Sequence, residues 1–164
     1  MLAGAVTCGR EFDEQCPGLD TVLVAVGGGG LIGGIAAWMG DRVRVVGVET
    51  EGTPTLHAAL AAGEPVPVEP SGIAASSLGG PMIGALAWAL AGHSIHDSLL
   101  VTDDHVRTAQ HDLWETARLV VEPGGAAAYA ALLAGVYRPA PDERVGAVLC
   151  GANTDPGSVV AARP

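Results

Sequence analysis

Lysine is missing altogether: all eight basic side chains are arginines, set against eighteen acidic ones for a formal net charge of -10. With so few cations there is no basic stripe to neutralise a polyphosphate backbone, which argues against nucleic acid as a partner. The same gap removes every side-chain amine that a Schiff base or an amine general base would need. Charged residues make up only 16% of the chain and hydrophobic ones 49%, the reverse of the composition that keeps chains disordered. At 164 residues the expectation is a single domain, residues 1–164, with a real core.

Cysteines are sparse as well. Cys8, Cys16 and Cys150 are odd in number and far apart, with no C-x-x-C pair, so neither a disulfide framework nor a metal site is expected; a reduced, cytoplasmic setting fits. His93 and His96 form an H-x-x-H without a third ligand and read as a surface pair. The N-terminus lacks the basic-then-apolar signature of a secretory signal. Two uncharged stretches, Thr21–Gly40 and Ser71–His96, are long enough to cross a bilayer, but their glycines and Pro81 would break a spanning helix. No membrane insertion is expected.

What the chain does have is an alternation of buried-strand and helix signals. Thr21 to Val26 is rich in β-branched residues without polar alternation, the pattern of a strand covered on both faces of a parallel sheet. Leu31 to Met39 reads as a helix and Val43 to Val48 as a second buried strand, which completes a βαβ unit. Pro54 to Ala62 is a short helix closed by Gly63, and Pro81 to Ala91 another, closed by Gly92. Leu99 to Val101 is a short strand leading into Thr102, Asp103 and Asp104, which suit a helix N-terminus; Val106, Ala109, Leu113 and Ala117 mark one face of that helix. Glu122 and Pro123 open a last helix that Gly135 closes, and Arg144 to Cys150 is a final buried strand. Pro65 to Pro70 and Arg138 to Asp142 are loops. The whole describes an α/β fold, a three-layer domain around a mainly parallel sheet.

Four consecutive glycines, Gly27 to Gly30, stand between the first strand and the following helix. Residues without side chains let the backbone approach an anion at the end of a helix whose dipole attracts it. A phosphate site is the functional reading, and a tight turn needing positive φ the plain structural one. Gly28, Gly30 and Gly33 also spell G-x-G-x-x-G, and Glu49 ends the second strand where a dinucleotide site places its ribose-binding acid. A nicotinamide-dinucleotide domain is therefore one specific reading, although it leaves Gly27, Glu122 and Cys150 without a role.

A second reading covers more of the chain. Val24 to Ala36, containing Gly27-Gly28-Gly29-Gly30-Leu31, resembles the tetraglycine phosphate loop of fold-type-II pyridoxal-phosphate enzymes, the group that includes serine and threonine dehydratases. Val46-Gly47-Val48-Glu49 with Thr53-Pro54-Thr55-Leu56, then Val121-Glu122-Pro123-Gly124-Gly125-Ala126-Ala127, then Leu149-Cys150-Gly151-Ala152-Asn153 are similar to three further motifs of that family, in the same order. Ala3-Gly4-Ala5-Val6-Thr7 is a degenerate match to a helix start that precedes the loop, with Ala5 in place of a glutamine.

The resemblance implies pyridoxal 5'-phosphate as cofactor, its phosphate held by the amides of Gly27, Gly28, Gly29, Gly30 and Leu31, and Cys150 facing the pyridine nitrogen. A neutral thiol there makes the ring a moderated electron sink, suited to β-elimination; the alternative for Cys150 is a small buried hydrophobe at a strand end. Glu122 is either a neighbour of the active site or an acidic residue preceding a helix. The implied substrate is a small amino acid, serine or threonine, converted to a 2-keto acid and ammonia by a homodimer. In such enzymes a lysine upstream of the glycine loop bonds the cofactor and removes the α-proton. That segment and the small substrate domain lie outside the 164 residues, so the chain is expected to correspond to most of the large cofactor-binding domain and to lack activity alone. Racemase chemistry and a noncatalytic interaction role are the competing uses. Some relatives carry a cation site near Glu49 and Thr53; Thr55 stands where they have a carboxylate, so no metal is expected.

Overall fold

The structure, a computed structural model, describes residues 2–161. Four parallel strands, β1 (Thr21–Ala25), β2 (Arg44–Thr50), β3 (Ile95–Val101) and β4 (Val145–Ala147), form one sheet in the order β3-β2-β1-β4. Among the described residues eight α-helices surround it: α1 (Leu2–Gln15), α2 (Gly30–Met39), α3 (Thr55–Ala62), α4 (Ala75–Leu78), α5 (Ala85–Leu90), α6 (Asp103–Ala117), α7 (Pro123–Leu133) and α8 (Pro156–Ala161).

The period of two along β1 divides the interior in two. Leu23 and Ala25, with Val46 and Val48 of β2, pack beneath α6 and α7. Val22, Val24 and Val26, with Val45, pack beneath α2, α3 and α5, and Cys8 and Phe12 of α1 join them from the same side. All five residues of β1 are buried. That is why the sequence shows an unbroken apolar run there: a central parallel strand has no solvent face. The result is helix, sheet, helix, the three layers expected.

Small residues set the spacing of the outer layers. A side chain at Gly34 of α2 would run into Ala5 of α1, and one at Gly9 would sit 3.0 Å from Cβ of Trp38. On the opposite face, Ala126, Ala127, Ala128, Ala130 and Ala131 are fully buried, so α7 lies close on the strands.

Several boundaries differ from the sequence reading. β3 begins at Ile95 rather than Leu99, because its pairing to β2 runs through His96-Asp97-Ser98, a polar stretch that hydrophobicity does not reveal; the register slips there, from Val45↔Ile95 to Val46↔Asp97. The expected buried strand Arg144–Cys150 pairs only over Val145–Ala147 and is half-buried, since β4 lies at the sheet edge. Helix α5 starts at Ala85, not Pro81, because Gly84 takes an extended conformation and gives its N–H to the carbonyl of Gly28. Ala117 is exposed, while Val106, Ala109 and Leu113 are buried as expected, and Gln110 joins them by donating to the Val121 carbonyl. Thr102 caps α6: its side chain accepts from the His105 N–H, and His105 Nδ1 accepts from the Thr102 N–H. No helix among the described residues is long and apolar enough to cross a membrane.

Ile35 is fully enclosed between α2 and the sheet. Truncation to Ile35→Ala should therefore cost about 2–5 kcal/mol, the sum of lost transfer energy and an unfilled cavity. Urea unfolding measures it, and a loss under about 1 kcal/mol would show that this layer is not packed as described.

Candidate functional site

The carboxyl ends of β1 and β4 open into a cleft of about 470 Å³. Gly27, Gly28, Gly29, Gly30 and Leu31 form one wall; Glu122, Gly124, Gly125 and Cys150 form the other, with Ser77 and Leu78 alongside. Cys150 and the glycine wall, more than a hundred positions apart in the chain, thus meet because β4 pairs directly with β1, Leu23 opposite Ala147. Every residue singled out from the sequence as a phosphate or ring contact lines this one cleft.

The glycine wall is built so that its carbonyls are taken and its amides are not. The Gly27 carbonyl accepts from Thr55 Oγ1 at 2.5 Å, that of Gly28 from the Gly84 N–H at 3.1 Å, and that of Gly29 from the Gly33 N–H at 2.9 Å. Among the described residues the N–H groups of Gly28 to Leu31 make no hydrogen bond. Gly29 has φ +81 and is the N-terminal cap residue of α2. A left-handed residue at a helix start gathers successive amides into an anion-binding concavity, and the helix dipole adds its positive end. Among the described residues no arginine lines the cleft, and the groups it offers an anion are backbone dipoles.

The opposite wall depends on glycine for closeness. A side chain at Gly125 would collide with the carbonyl oxygen of Cys150, and one at Gly151, φ +70, would collide with the Glu122 carboxylate. The Glu122 N–H donates to the Gly151 carbonyl at 3.0 Å, tying the start of α7 to the end of β4. Glu122 precedes α7 but its carboxylate does not cap it. Instead Ser77, from α4, accepts the Gly124 N–H at 3.0 Å. Sequence reasoning missed Ser77 because α4 has only four residues and no periodicity to announce it. Burial pushes the Cys150 thiol up, and the neighbouring Glu122 and Cys8 push in the same direction.

Glu49 does not behave as a ribose-binding residue. It is fully buried; its two oxygens accept from the Leu56 N–H at 2.8 Å, the His57 N–H at 2.7 Å and Ser98 Oγ at 2.6 Å, and Oε1 lies 3.0 Å from Thr55 Oγ1, whose single proton goes to the nearer Gly27 carbonyl. Burial raises its carboxyl above the ordinary value, opposed by the hydrogen bonds from Ser98, Leu56 and His57. Glu49 thus anchors the start of α3 to β2 and β3, and the dinucleotide reading loses its acid. Thr53 Oγ1 is engaged with Thr50 Oγ1 at 2.8 Å, and among the described residues no cluster of three potential metal ligands occurs. His93 and His96 are both exposed.

With the geometry in view, the chain belongs to the pyridoxal-phosphate dependent enzymes, whose family model matches residues 1–151. It is 36% identical to a phenylserine dehydratase of Ralstonia pickettii over 94% of its own length and 48% of that protein. It is 30% identical to a serine racemase of Dictyostelium discoideum over 97% of its length and 51% of that protein. The processed form of threonine deaminase isoform 2 from Solanum lycopersicum superposes with a TM-score of 0.85 at 26% identity, over 98% of this chain and 48% of that one. The chain therefore spans about half the length of these relatives. The fold is that of fold-type-II enzymes, as the sequence resemblance implied, and the family's cofactor is pyridoxal phosphate.

The raised Cys150 thiol gives a measurable pH behaviour. Folding favours its protonated form, so the stabilisation is fully present below the unfolded thiol's value and is lost as pH rises through the folded one. Alkylation of Cys150 by iodoacetamide, followed by peptide mass spectrometry, should reach half its maximal rate above the ordinary thiol value of about 8.5. A midpoint at or below that value would contradict the burial assigned to it.

Proposed function

We propose that these residues form the phosphate- and ring-binding half of a pyridoxal-phosphate-dependent ammonia-lyase acting on a small β-hydroxy amino acid, L-serine or L-threonine. The observation that carries the reading is the convergence on one cleft of the free amides of Gly28 to Leu31 with Glu122 and the half-buried thiol of Cys150. The donor set fits the cofactor: a row of amides at a helix N-terminus suits a phosphate dianion. Space is available too, since a side chain at Gly28 would meet nothing within 4 Å.

When bound, pyridoxal phosphate supplies an electron sink for the α-carbanion of an amino acid. The chain's own residues do the holding. Amides of Gly28 to Leu31 bind the phosphate, and Gly27 keeps the loop close to the Leu78 backbone, 3.0 Å from where its side chain would be. Cys150 would be the residue that meets the ring nitrogen, and its upward-shifted thiol would stay neutral there and give the nitrogen no full proton. A neutral thiol at that place would moderate the electron sink the cofactor supplies, which suits loss of a β-hydroxyl. Glu122 borders the same ring space with a carboxylate that caps no helix. The relatives include a serine racemase, so reprotonation at the α-carbon on the same scaffold is the second reading.

No lysine occurs among the 164 residues, so the amine that bonds the cofactor and takes the α-proton has to come from elsewhere. Alone, the chain should hold pyridoxal phosphate weakly and without a covalent bond, and should leave L-serine and L-threonine unchanged. The test is titration of the purified chain with pyridoxal phosphate, pyridoxal and NAD, monitored by tryptophan fluorescence, together with a keto-acid assay. Pyridoxal phosphate should bind more tightly than pyridoxal or NAD, with no keto acid formed. Tighter NAD binding would sink the reading, and turnover would sink the assignment of the amine to other residues.

A further inference from the structure

The cradle works only if its peptide planes face the right way, and one of those planes is set by a side chain rather than by backbone. In a trans peptide the carbonyl and the N–H of the same unit point in opposite directions. Holding the Gly27 carbonyl on one side therefore aims the Gly28 N–H to the other. Thr55 Oγ1 donates to that carbonyl at 2.5 Å. Thr55 stands at the start of α3, after β2, whereas Cys150 follows β4, and β2 and β4 flank β1 on opposite sides. A Gly27 carbonyl drawn towards Thr55 thus leaves the Gly28 amide facing the side on which Cys150 and the cleft lie.

We propose that Thr55 is a positioning residue for the phosphate loop, acting through the Gly27 carbonyl to hold the Gly28 amide in its anion-binding orientation. This rests on the reading of the loop as a phosphate cradle. The two following carbonyls, of Gly28 and Gly29, are held by backbone N–H groups of Gly84 and Gly33, so Thr55 supplies the one clasp that a substitution can remove. Its hydroxyl is fixed in turn. Thr55 is fully buried, and Glu49 Oε1 lies 3.0 Å from its Oγ1 while also accepting the Leu56 N–H. Glu49 is held independently by Leu56, His57 and Ser98, so the single Thr55 hydroxyl proton is left for the shorter contact, the Gly27 carbonyl. Thr55 does not itself line the cleft, which makes an effect on phosphate binding diagnostic of action through the loop.

The experiment compares Thr55→Val, Thr55→Ala, Thr55→Ser and Ser98→Ala with the parent chain. Two readouts are needed: the Gly28 amide resonance in glycine-labelled protein without ligand, and affinities for pyridoxal phosphate, inorganic phosphate and pyridoxal. Loss of the hydroxyl in the valine or alanine variant should move the Gly28 resonance and weaken both phosphate-bearing probes about tenfold, the worth of one hydrogen bond to a charged group. Pyridoxal affinity should not change, and serine should restore the parent behaviour. Ser98→Ala, which removes a donor from Glu49 but leaves the clasp, should keep phosphate affinity. An unmoved Gly28 resonance in both hydroxyl-less variants overturns the proposal, as does an equal phosphate loss in Ser98→Ala. If the parent chain does not prefer pyridoxal phosphate to pyridoxal, the cradle reading fails, and the Gly28 resonance still decides whether Thr55 sets the loop.

Discussion

Everything at the site follows from one constraint: a loop of four glycines keeps a single shape only if other parts of the chain hold its carbonyls and fill the space at Gly27 and Gly29, while Gly28 faces open space. A Cβ on Gly29 would fall 2.5 Å from Cβ of Ala87 and 2.7 Å from Cδ1 of Ile83, and one on Gly27 would meet the backbone of Leu78 at 3.0 Å. The segment from Leu78 to Ala87 therefore seals the back of the loop. Glycine loses more conformational freedom on folding than any other residue, so four in a row are stable here because neighbours and three fixed carbonyls leave them no alternative. The irregular backbone from Pro81 to Gly84 is part of that arrangement, since the Gly84 N–H is spent on the loop and not on a helix.

The second wall obeys the same logic at longer range. Sheet order brings β4 beside β1, and the close seating of Gly125 against Cys150 brings the start of α7 to the end of β4. Ser77 then satisfies an α7 amide that Glu122 leaves open. A strand edge, two helix starts and a one-turn helix thus share their unsatisfied groups at a single place. In an open α/β sheet that place lies beyond the carboxyl ends of the strands, where the chain leaves its regular structure and the backbone groups are not yet committed.

How much of this could be read from the residues depended on where the signal lay. β1 and β2 are covered on both faces, and their apolar runs announce them. β3 pairs through His96-Asp97-Ser98, so only its last three residues carried a hydrophobic signature. β4 is half-buried at the edge, and its expected length was drawn from an apolar run that continues past the paired residues. At the site, Gly27 to Leu31, Glu122 and Cys150 were legible because they fall in recognisable motifs. Ser77 was not, and neither was the destination of Glu49: a lone acid after a strand reads the same whether it meets a ribose or turns inward to cap a helix. That choice is made by Leu56, His57 and Ser98, whose contributions are backbone positions and distant pairings that no local pattern encodes.

The electrostatics complete the account of the lysine-free composition. A chain of net charge -10 repels a phosphate at long range, and among the described residues no arginine lines the cleft to offset this. Attraction has to be short-ranged, from amide dipoles within the first turn of α2, and such contacts are worth most when they are already aligned before the anion arrives. Alignment is what the carbonyl clasps of Thr55, Gly84 and Gly33 supply. Direction takes the place of charge, and this is why the residues that shape the cradle from behind matter as much as those that face it.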